Sequence, residues 1–363
     1  MTPPAYPAAR AAAARVHPRY ARNLDDPELL PDIEAIEAII DVAFWASLRR
    51  EEVWTPRVSL AFATPARVEM PLVFERPVPL AAEPLTRLGP AVERPGIHLC
   101  VSRSDGHLTI WGAARELPEF CFVLEVVAPG LLVVKQSRGE QGKFVNVAVL
   151  QGDDIKVVDA FAAIAEHLPG LQPDIKPPAA ANILTQLAVS MRAHGRGGSL
   201  LVVPPDSELW RESILQPIIY SVAPPFRALA DLLHEAPEER SRRRWQESLH
   251  RIVEGVAGLT AVDGATIITN KHELLGFGAK IVRRHGWQRV SSVQITEPIE
   301  GTSGVITEPG QMGGTRHLSA AQFAHDQRNA IAMVASQDGR FTVFGWSARE
   351  EMVHAHRIET LLL

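Results

Sequence analysis

A chain of 363 residues exceeds the about 250–300 residues at which a single hydrophobic core stops growing, so two domains are expected. Its 46% hydrophobic and 22% charged residues are ordinary for a globular protein, and a formal net charge of -5 supplies no overall positive field for nucleic acid or anionic lipid. Two cysteines, both in apolar runs, are too few for a zinc site or a disulfide framework and are typical of buried free thiols.

The N-terminal sequence lacks the patterns that direct a chain to a membrane. Residues 1–20 are rich in alanine, proline and arginine, without the continuous apolar segment of a signal peptide. No apolar run in the chain approaches the ~20 residues that cross a bilayer. We therefore expect a cytoplasmic protein that contacts no membrane, with these first residues forming a poorly ordered arm.

The first half of the chain predicts one helix followed by a series of strands. Apolar residues recur at helical spacing from Leu30 to Arg50, which predicts the first helix. Short β-branched and aromatic runs separated by turn sequences then predict seven strands, at 58–64, 97–102, 108–113, 120–127, 131–137, 144–150 and 155–158. A further helix is predicted over 159–168. Together these elements predict an N-terminal α+β domain with an antiparallel sheet.

Residues 169–178 contain four prolines in ten positions, which removes backbone donors and disfavours helix. We interpret this segment as the linker between two domains. The predicted domains are therefore residues 1–174 and residues 175–363.

The second half alternates helices with buried strands. Helices are predicted over 179–193, 225–236, 237–257 and 319–327, and strands over 200–204, 265–269, 274–282, 330–336 and 341–346. Asp338-Gly339 predicts a tight hairpin between the last two strands. The alternation predicts an α/β domain whose central mixed sheet is flanked by helices.

Three short segments of the second half carry side chains suited to chemistry. Asp263-Gly264-Ala265 is by itself typical of a turn, but a carboxylate at such a turn can also hold a divalent cation. Ser336 ends a predicted strand beside the hairpin, where its hydroxyl is able to reach a ligand.

The third segment, residues 313–319, is a glycine-rich loop that runs into a helix. N–H groups at a helix start, the Thr315 hydroxyl and the Arg316 guanidinium suit the binding of phosphate, and His317 adds a donor. A plain loop capped by Ser319 is the alternative. A metal-binding carboxylate together with a phosphate loop is the combination that nucleotidyl transfer requires.

In order and spacing, these segments resemble the diadenylate cyclase (DAC, DisA_N-type) domain family. Asp-Gly-Ala is followed about fifty residues later by Gly-Thr-Arg-His at a helix start. Residues 195–203, 274–282 and 329–344 resemble the opening segment, the strand after Asp-Gly-Ala and the closing hairpin of that domain. The resemblance covers about residues 180–345.

The resemblance implies a role for each matching residue. Asp263 would bind Mn²⁺ or Mg²⁺ and help to activate a 3′-hydroxyl, whereas Thr315, Arg316 and His317 would grip the triphosphate of ATP. Arg316 and His317 would join Asp263 as catalytic residues. The other positions implied to lie at the nucleotide are Gly264, Ala265, Gly278, Gly314, Ser319 and Ser336.

Members of this family join two ATP molecules into cyclic di-AMP between two protomers that face each other. A homodimer or higher homo-oligomer is therefore implied. The family often carries a sensor domain before its cyclase, including the DACNV type, and the β-rich residues 1–170 are compatible with that role.

Two positions depart from the family pattern. Leu318 stands where a basic residue is usual, and Gln337 stands where some members have an acidic residue, with Asp338 beside it expected to face the turn. The segment from Arg284 to Met312 is also long. The departures at Leu318 and Gln337 favour the alternative of a catalytically weakened nucleotide-binding signalling module on the same fold. A further alternative is a purely structural or protein-interaction protein, in which the two motifs are coincidental turns.

Overall fold

The computed structural model describes residues 5–158, except 23, 25, 27, 50–56, 95 and 139–143, and residues 183–363, except 241. The chain separates into two compact units, residues 1–159 and 160–362. The predicted helix over 159–168, the linker over 169–178 and the domain boundary at residue 175 lie outside the described residues and stay predictions.

Three helices of the first unit are α1 (Pro7–Ala21), α2 (Ile33–Ser47) and α3 (Ala82–Val92). The prediction of the helix over residues 30–50 is confirmed by α2. The expectation of a poorly ordered arm was wrong, because α1 is a helix that contacts α2. Alanine has the highest helix propensity, and the buried side chains of Ala12, Ala13 and Val16 show that α1 belongs to the core.

The first unit also contains an eight-stranded sheet in the order β2-β4-β3-β1-β5-β6-β7-β8. Its strands are β1 (Ser59–Phe62), β2 (Leu72–Pro79), β3 (His98–Ser104), β4 (His107–Ala114), β5 (Phe122–Ala128), β6 (Leu131–Ser137), β7 (Phe144–Gln151) and β8 (Asp154–Val157). All seven predicted strands are present. The edge strand β2 was not predicted, because its prolines interrupt the alternating pattern.

The sheet of the first unit is mixed, which corrects the prediction of an antiparallel one. β1 pairs in parallel with β3 and antiparallel with β5. A parallel pair requires a long crossover connection, and the segment that carries β2 and α3 provides it. The first unit differs from the predicted antiparallel α+β domain only in the parallel pairing of β1 with β3.

His98, on β3, is a buried titratable group in the core of the first unit. Its Nδ1 lies 2.7 Å from the Ser59 hydroxyl oxygen, and its ring packs against Phe144 with centroids 5.2 Å apart. Burial lowers the pKa of His98 to about 4, Glu125 acts in the opposite direction, and Lys135 lowers it further. At neutral pH the ring is therefore uncharged.

The first unit is expected to lose stability as the pH falls from 6.5 to 4. Below the ordinary histidine pKa of 6.5 the unfolded chain binds a proton that native His98 does not accept until about pH 4. The free energy of unfolding should fall by on the order of 3 kcal/mol across this window. Urea denaturation at a series of pH values measures the slope. His98→Gln should flatten it and His107→Gln, at an exposed position of β4, should not; an unchanged slope in His98→Gln contradicts the prediction.

The second unit is built on a nine-stranded sheet in the order β10-β12-β11-β9-β15-β16-β17-β13-β14. Its strands are β9 (Gly198–Val203), β10 (Tyr220–Phe226), β11 (Ala265–Thr269), β12 (Leu274–Ala279), β13 (Val293–Thr296), β14 (Val305–Thr307), β15 (Ile331–Ala335), β16 (Phe341–Ser347) and β17 (Met352–Arg357). Its helices are α4 (Ile183–Ala193), α5 (Ala228–Leu233), α6 (Pro237–Arg240), α7 (Arg243–Leu259) and α8 (Thr315–Asp326).

The helices of the second unit cover both faces of this sheet. Leu200 of β9 packs in one core with residues of α4 and α7, whereas the next residue, Leu201, packs in the other core with Phe323 of α8. Successive strand residues point to opposite faces, so the sheet is buried on both sides. The predicted α/β unit with a central mixed sheet is confirmed.

Several predicted boundaries in the second unit were wrong. The helix predicted over 225–236 begins at Ala228, since the residues before it form β10. The helix predicted over 237–257 is two helices, α6 and α7. α8 begins at Thr315 rather than residue 319, because Gly314 is its N-cap, so Ser319 lies in the second turn. Within the described residues, no helix has both the length and the apolarity needed to span a bilayer.

Candidate functional site

Strand register brings one end of four central strands to the same edge of the second sheet. β11 runs parallel to β9, with Ala265 opposite Ser199. β12 and β15 run in the opposite direction, and their last residues, Ala279 and Ala335, lie opposite the first residues of β11 and β9. The segments before β9 and β11 and those after β12 and β15 therefore lie together.

We call this edge the strand-end cluster, defined as Gly197, Asp263-Gly264, Gly278–Lys280, residues 336–340 and the first turn of α8. The surroundings of Gly197, which has a φ of +69°, show that α8 lies next to the strand ends. A Cβ placed there would lie 3.1 Å from Nη1 of Arg316, 3.2 Å from the carbonyl oxygen of Ala335 and 3.3 Å from Cγ of Gln337. The Arg316 guanidinium, the end of β15 and Gln337 therefore all approach Gly197.

Asp263 projects from the strand-end cluster into solvent, with its side chain 85% exposed. Its Oδ2 accepts a hydrogen bond from Nζ of Lys280 at 2.9 Å. The hydrogen bond and the charge of Lys280 lower the pKa of Asp263, and Arg316 and the N–H of Gly264 act in the same direction. The carboxylate is ionised at neutral pH and lies within electrostatic reach of Arg316.

Two glycines allow the backbones beside this carboxylate to touch. At Gly264, with φ +108°, a Cβ would lie 2.5 Å from the carbonyl carbon of Gly278. At Gly278, with φ +67°, a Cβ would lie 2.8 Å from the ring of Tyr220. Tyr220 is 47% exposed and stacks on Phe277 at 4.8 Å, so an aromatic surface lies next to the turn. Ala265 is buried as the first residue of β11, which leaves only its backbone to face a ligand.

The start of α8 presents backbone donors rather than a capping side chain. Gly314 is the N-cap and makes no side-chain hydrogen bond, and Thr315 is exposed at the first helical position. An uncapped helix start favours a negatively charged group through its N–H groups and the helix dipole. The first turn of α8 therefore suits phosphate.

His317 is buried at the base of this helix start. A Cβ on Gly313 would lie 2.7 Å from its Nδ1, and its ring packs against Phe344. Burial lowers the pKa of His317; Asp338 opposes this shift, and two arginines near it act in the same direction as burial. His317 therefore acts as a neutral ring at neutral pH, able to donate or accept one hydrogen bond but not to supply charge.

The closing hairpin places a second carboxylate, that of Asp338, near His317. The Ser336 hydroxyl donates to Asp338, which lowers the pKa of that carboxyl, and the charge of Asp338 reaches His317. Asp338 faces the turn, as expected, because its Oδ1 accepts a hydrogen bond from the N–H of Arg340 at 3.3 Å and its Oδ2 lies 3.4 Å from Nε of Arg340. Gln337 donates to the carbonyl oxygen of Arg196 at 3.3 Å.

Ser319 lies one turn further along α8, outside the strand-end cluster. It borders a cavity of about 320 Å³ whose other lining residues are Ile281, Val282, Arg283, Arg289, Leu318 and Gln322. Leu318 thus faces an opening flanked by two arginines of the neighbouring segment.

The donor set fits a metal that arrives together with a nucleotide. Among the residues that the structure describes, no group of three or more His, Cys, Asp or Glu side chains is placed to hold a metal ion. Mg²⁺ is commonly bound by one or two carboxylates together with substrate phosphates and water. Asp263 is exposed and ionised, so it could supply the one protein carboxylate of such a site, although its Oδ2 is paired with the Lys280 ammonium.

Comparisons with known proteins match the first unit. A family model described as a probable sensor domain, DACNV, matches residues 25–115. No curated protein matches the chain.

Solved structures show only weak likeness. A hypothetical membrane-spanning protein from Bacillus cereus has 15% identity and a TM-score of 0.27, over 48% of this chain and 61% of that chain. DacA from Staphylococcus aureus, crystallised as a double mutant, has 13% identity and a TM-score of 0.23, over 48% of this chain and 83% of that chain. The chain thus spans less than two thirds of the first of these proteins, and TM-scores this low do not establish a common fold.

Proposed function

We propose that the second unit binds ATP at the strand-end cluster and joins two ATP molecules into cyclic di-AMP, with release of pyrophosphate. One observation carries this proposal: Asp263-Gly264-Ala265 and the Gly-Thr-Arg-His loop meet at one edge of the sheet. The charge of Arg316 acts on the carboxylate of Asp263, and Arg316, Ala335 and Gln337 all approach Gly197.

The reaction consists of two equivalent substitutions at phosphorus. Each 3′-hydroxyl oxygen forms a bond to the α-phosphorus of the other ATP, the bond from that phosphorus to the pyrophosphate oxygen breaks, and the hydroxyl proton passes to solvent. Asp263 would hold a Mn²⁺ or Mg²⁺ ion, which when bound neutralises phosphate charge and polarises the attacking hydroxyl.

The protein's own donors would position the phosphates. The uncapped start of α8, the Thr315 hydroxyl and the Arg316 guanidinium supply hydrogen bonds and positive charge where the leaving pyrophosphate gains negative charge. Neutral His317 supplies a further hydrogen bond, and the Ser336–Asp338 pair borders the same cluster. The aromatic surface of Tyr220 offers a face for stacking.

The two substitutions require two nucleotides that face each other. We therefore propose that a second copy of the chain supplies the other ATP, in a homodimer or higher homo-oligomer located in the cytoplasm. The DACNV match over residues 25–115 supports a sensor role for the first unit. Neither membrane nor nucleic acid takes part in this proposal.

Incubation of the full chain with ATP and Mn²⁺, followed by mass spectrometry, is expected to yield cyclic di-AMP and pyrophosphate. Binding of ATP by calorimetry without pyrophosphate release, under Mn²⁺ and Mg²⁺ alike, would instead support the non-catalytic signalling module. Gln337, whose amide is already bound to Arg196, favours that alternative. The absence of any nucleotide-induced thermal shift would contradict both, since a ligand of the native state must stabilise it.

A further inference from the structure

We propose that Lys280 is a resident counter-ion of Asp263, which a divalent cation must displace before the site fills. Lys280 would then set the metal concentration that the site requires. This inference rests on the proposed function, because it takes Asp263 as a ligand of the metal.

The position of Lys280 follows from the strand register. It is the residue after β12, whose last residue, Ala279, lies opposite Ala265 at the start of β11. Asp263 comes two residues before that start, so the two side chains leave the sheet edge side by side. Their charged atoms are 2.9 Å apart, which places the ammonium at a carboxylate oxygen that a metal would use.

The local charge favours a metal that is accompanied by a nucleotide. The strand-end cluster contains three cationic side chains, Lys280, Arg316 and Arg340, and two carboxylates, Asp263 and Asp338; the two cations that act on Asp263 are Lys280 and Arg316. A bare divalent cation must therefore approach an edge with excess positive charge. The negative charge of a triphosphate reverses this balance, so binding of nucleotide and metal should be coupled.

The solvent exposure of Lys280 and Asp263 limits how much their ion pair can change the affinity for a metal ion. Lys280 is 54% exposed and Asp263 is 85% exposed, and exposed ion pairs contribute at most about 1 kcal/mol. Displacing such a pair lowers the affinity for a competing cation by up to about fivefold. The competition is also screened by salt, because the Debye length is only ~3 Å at 1 M ionic strength.

The test is a Mn²⁺ titration of the full chain in the presence of a saturating, non-hydrolysable ATP analogue, followed by water-proton relaxation enhancement. Lys280→Met is expected to lower the half-saturating Mn²⁺ concentration about two- to fivefold, and 1 M salt should reduce that difference. Lys280→Arg keeps the charge and should stay near the wild-type value. Lys271→Met, at an exposed turn between β11 and β12, is the matched control and should have no effect.

Asp263→Asn, in the same titration, separates the two proposals. If Asp263→Asn loses the binding while Lys280→Met leaves it unchanged or weaker, the role of Lys280 is overturned and the metal role of Asp263 stands. An equal shift in Lys271→Met also overturns the specific role of Lys280. If Asp263→Asn binds Mn²⁺ as the wild type does, the metal role of Asp263 falls, and the inference about Lys280 falls with it.

Discussion

Asparagine at position 263 is expected to reduce the formation of cyclic di-AMP from ATP at least about 100-fold. A divalent cation contributes several kcal/mol to the stabilisation of transition-state charge, and each 1.36 kcal/mol corresponds to about tenfold in rate. Asparagine keeps the shape of the side chain but removes the charge that would hold the cation. Product formation is measured by mass spectrometry at saturating ATP and Mn²⁺.

The fold should survive this substitution, because the Asp263 side chain is largely exposed and its one side-chain partner is the exposed Lys280. Near-ultraviolet circular dichroism and the urea midpoint should match those of the wild type. Asp231→Asn is the matched control: it removes an exposed carboxylate of the same unit that pairs with Arg227 at 3.5 Å, and it should retain full activity. Undiminished product from Asp263→Asn would remove the assigned role.

Alanine at position 264 is expected to lower the free energy of unfolding of the second unit by about 3 kcal/mol. Gly264 has φ +108°, where an L-residue is strained by about 1–3 kcal/mol. Its Cβ would also lie 2.5 Å from backbone atoms of Gly278, which cannot move without disturbing the pairing of β11 and β12. Urea denaturation followed by circular dichroism measures the change.

Gly255→Ala is the matched control, with the opposite expected sign. Gly255 lies within α7, and a Cβ there would meet no atom within 4 Å. Alanine in a helix interior is more favourable than glycine by about 0.8–1.0 kcal/mol, so this variant should be slightly more stable than the wild type. A loss below about 0.5 kcal/mol in Gly264→Ala would contradict the close backbone contact.

The sequence predicted those elements whose own residues show an apolar or alternating pattern. The seven predicted strands of the first unit alternate or run apolar between turns, and β11, β15 and β16 of the second unit do the same. Four strands of the second unit were not predicted. β10 contains Pro224 and Pro225, and β14 is solvent-exposed. β13 and β17 lie inside the sheet, where the two histidines of β17 interrupt its apolar sequence. Such strands are defined by their neighbours rather than by their own periodicity.

The candidate site likewise contains some residues that the sequence predicted and others that it did not. Asp263, Gly264 and the Gly-Thr-Arg-His loop carry a recognisable local pattern, and the structure places them at one edge. Lys280 was not predicted, because its relevance comes from strand pairing across β11 and β12. The turn position of Asp338 was predicted, but its effect on His317 was not, because a turn sequence does not show which buried group lies near its carboxylate. The uncharged state of His317 follows from burial, which sequence does not report.

The strand-end cluster is assembled from loops that are far apart along the chain, from Gly197 through Asp263 to Asp338. Contacts between such distant segments carry a loop-closure cost in conformational entropy. A peptide must run from residue 197 to residue 340 to contain the whole arrangement. If the cluster binds a nucleotide as proposed, the amount bound reports the fraction of chains in which the second unit is folded. A destabilising core mutation far from the cluster would then reduce nucleotide binding by lowering that folded fraction.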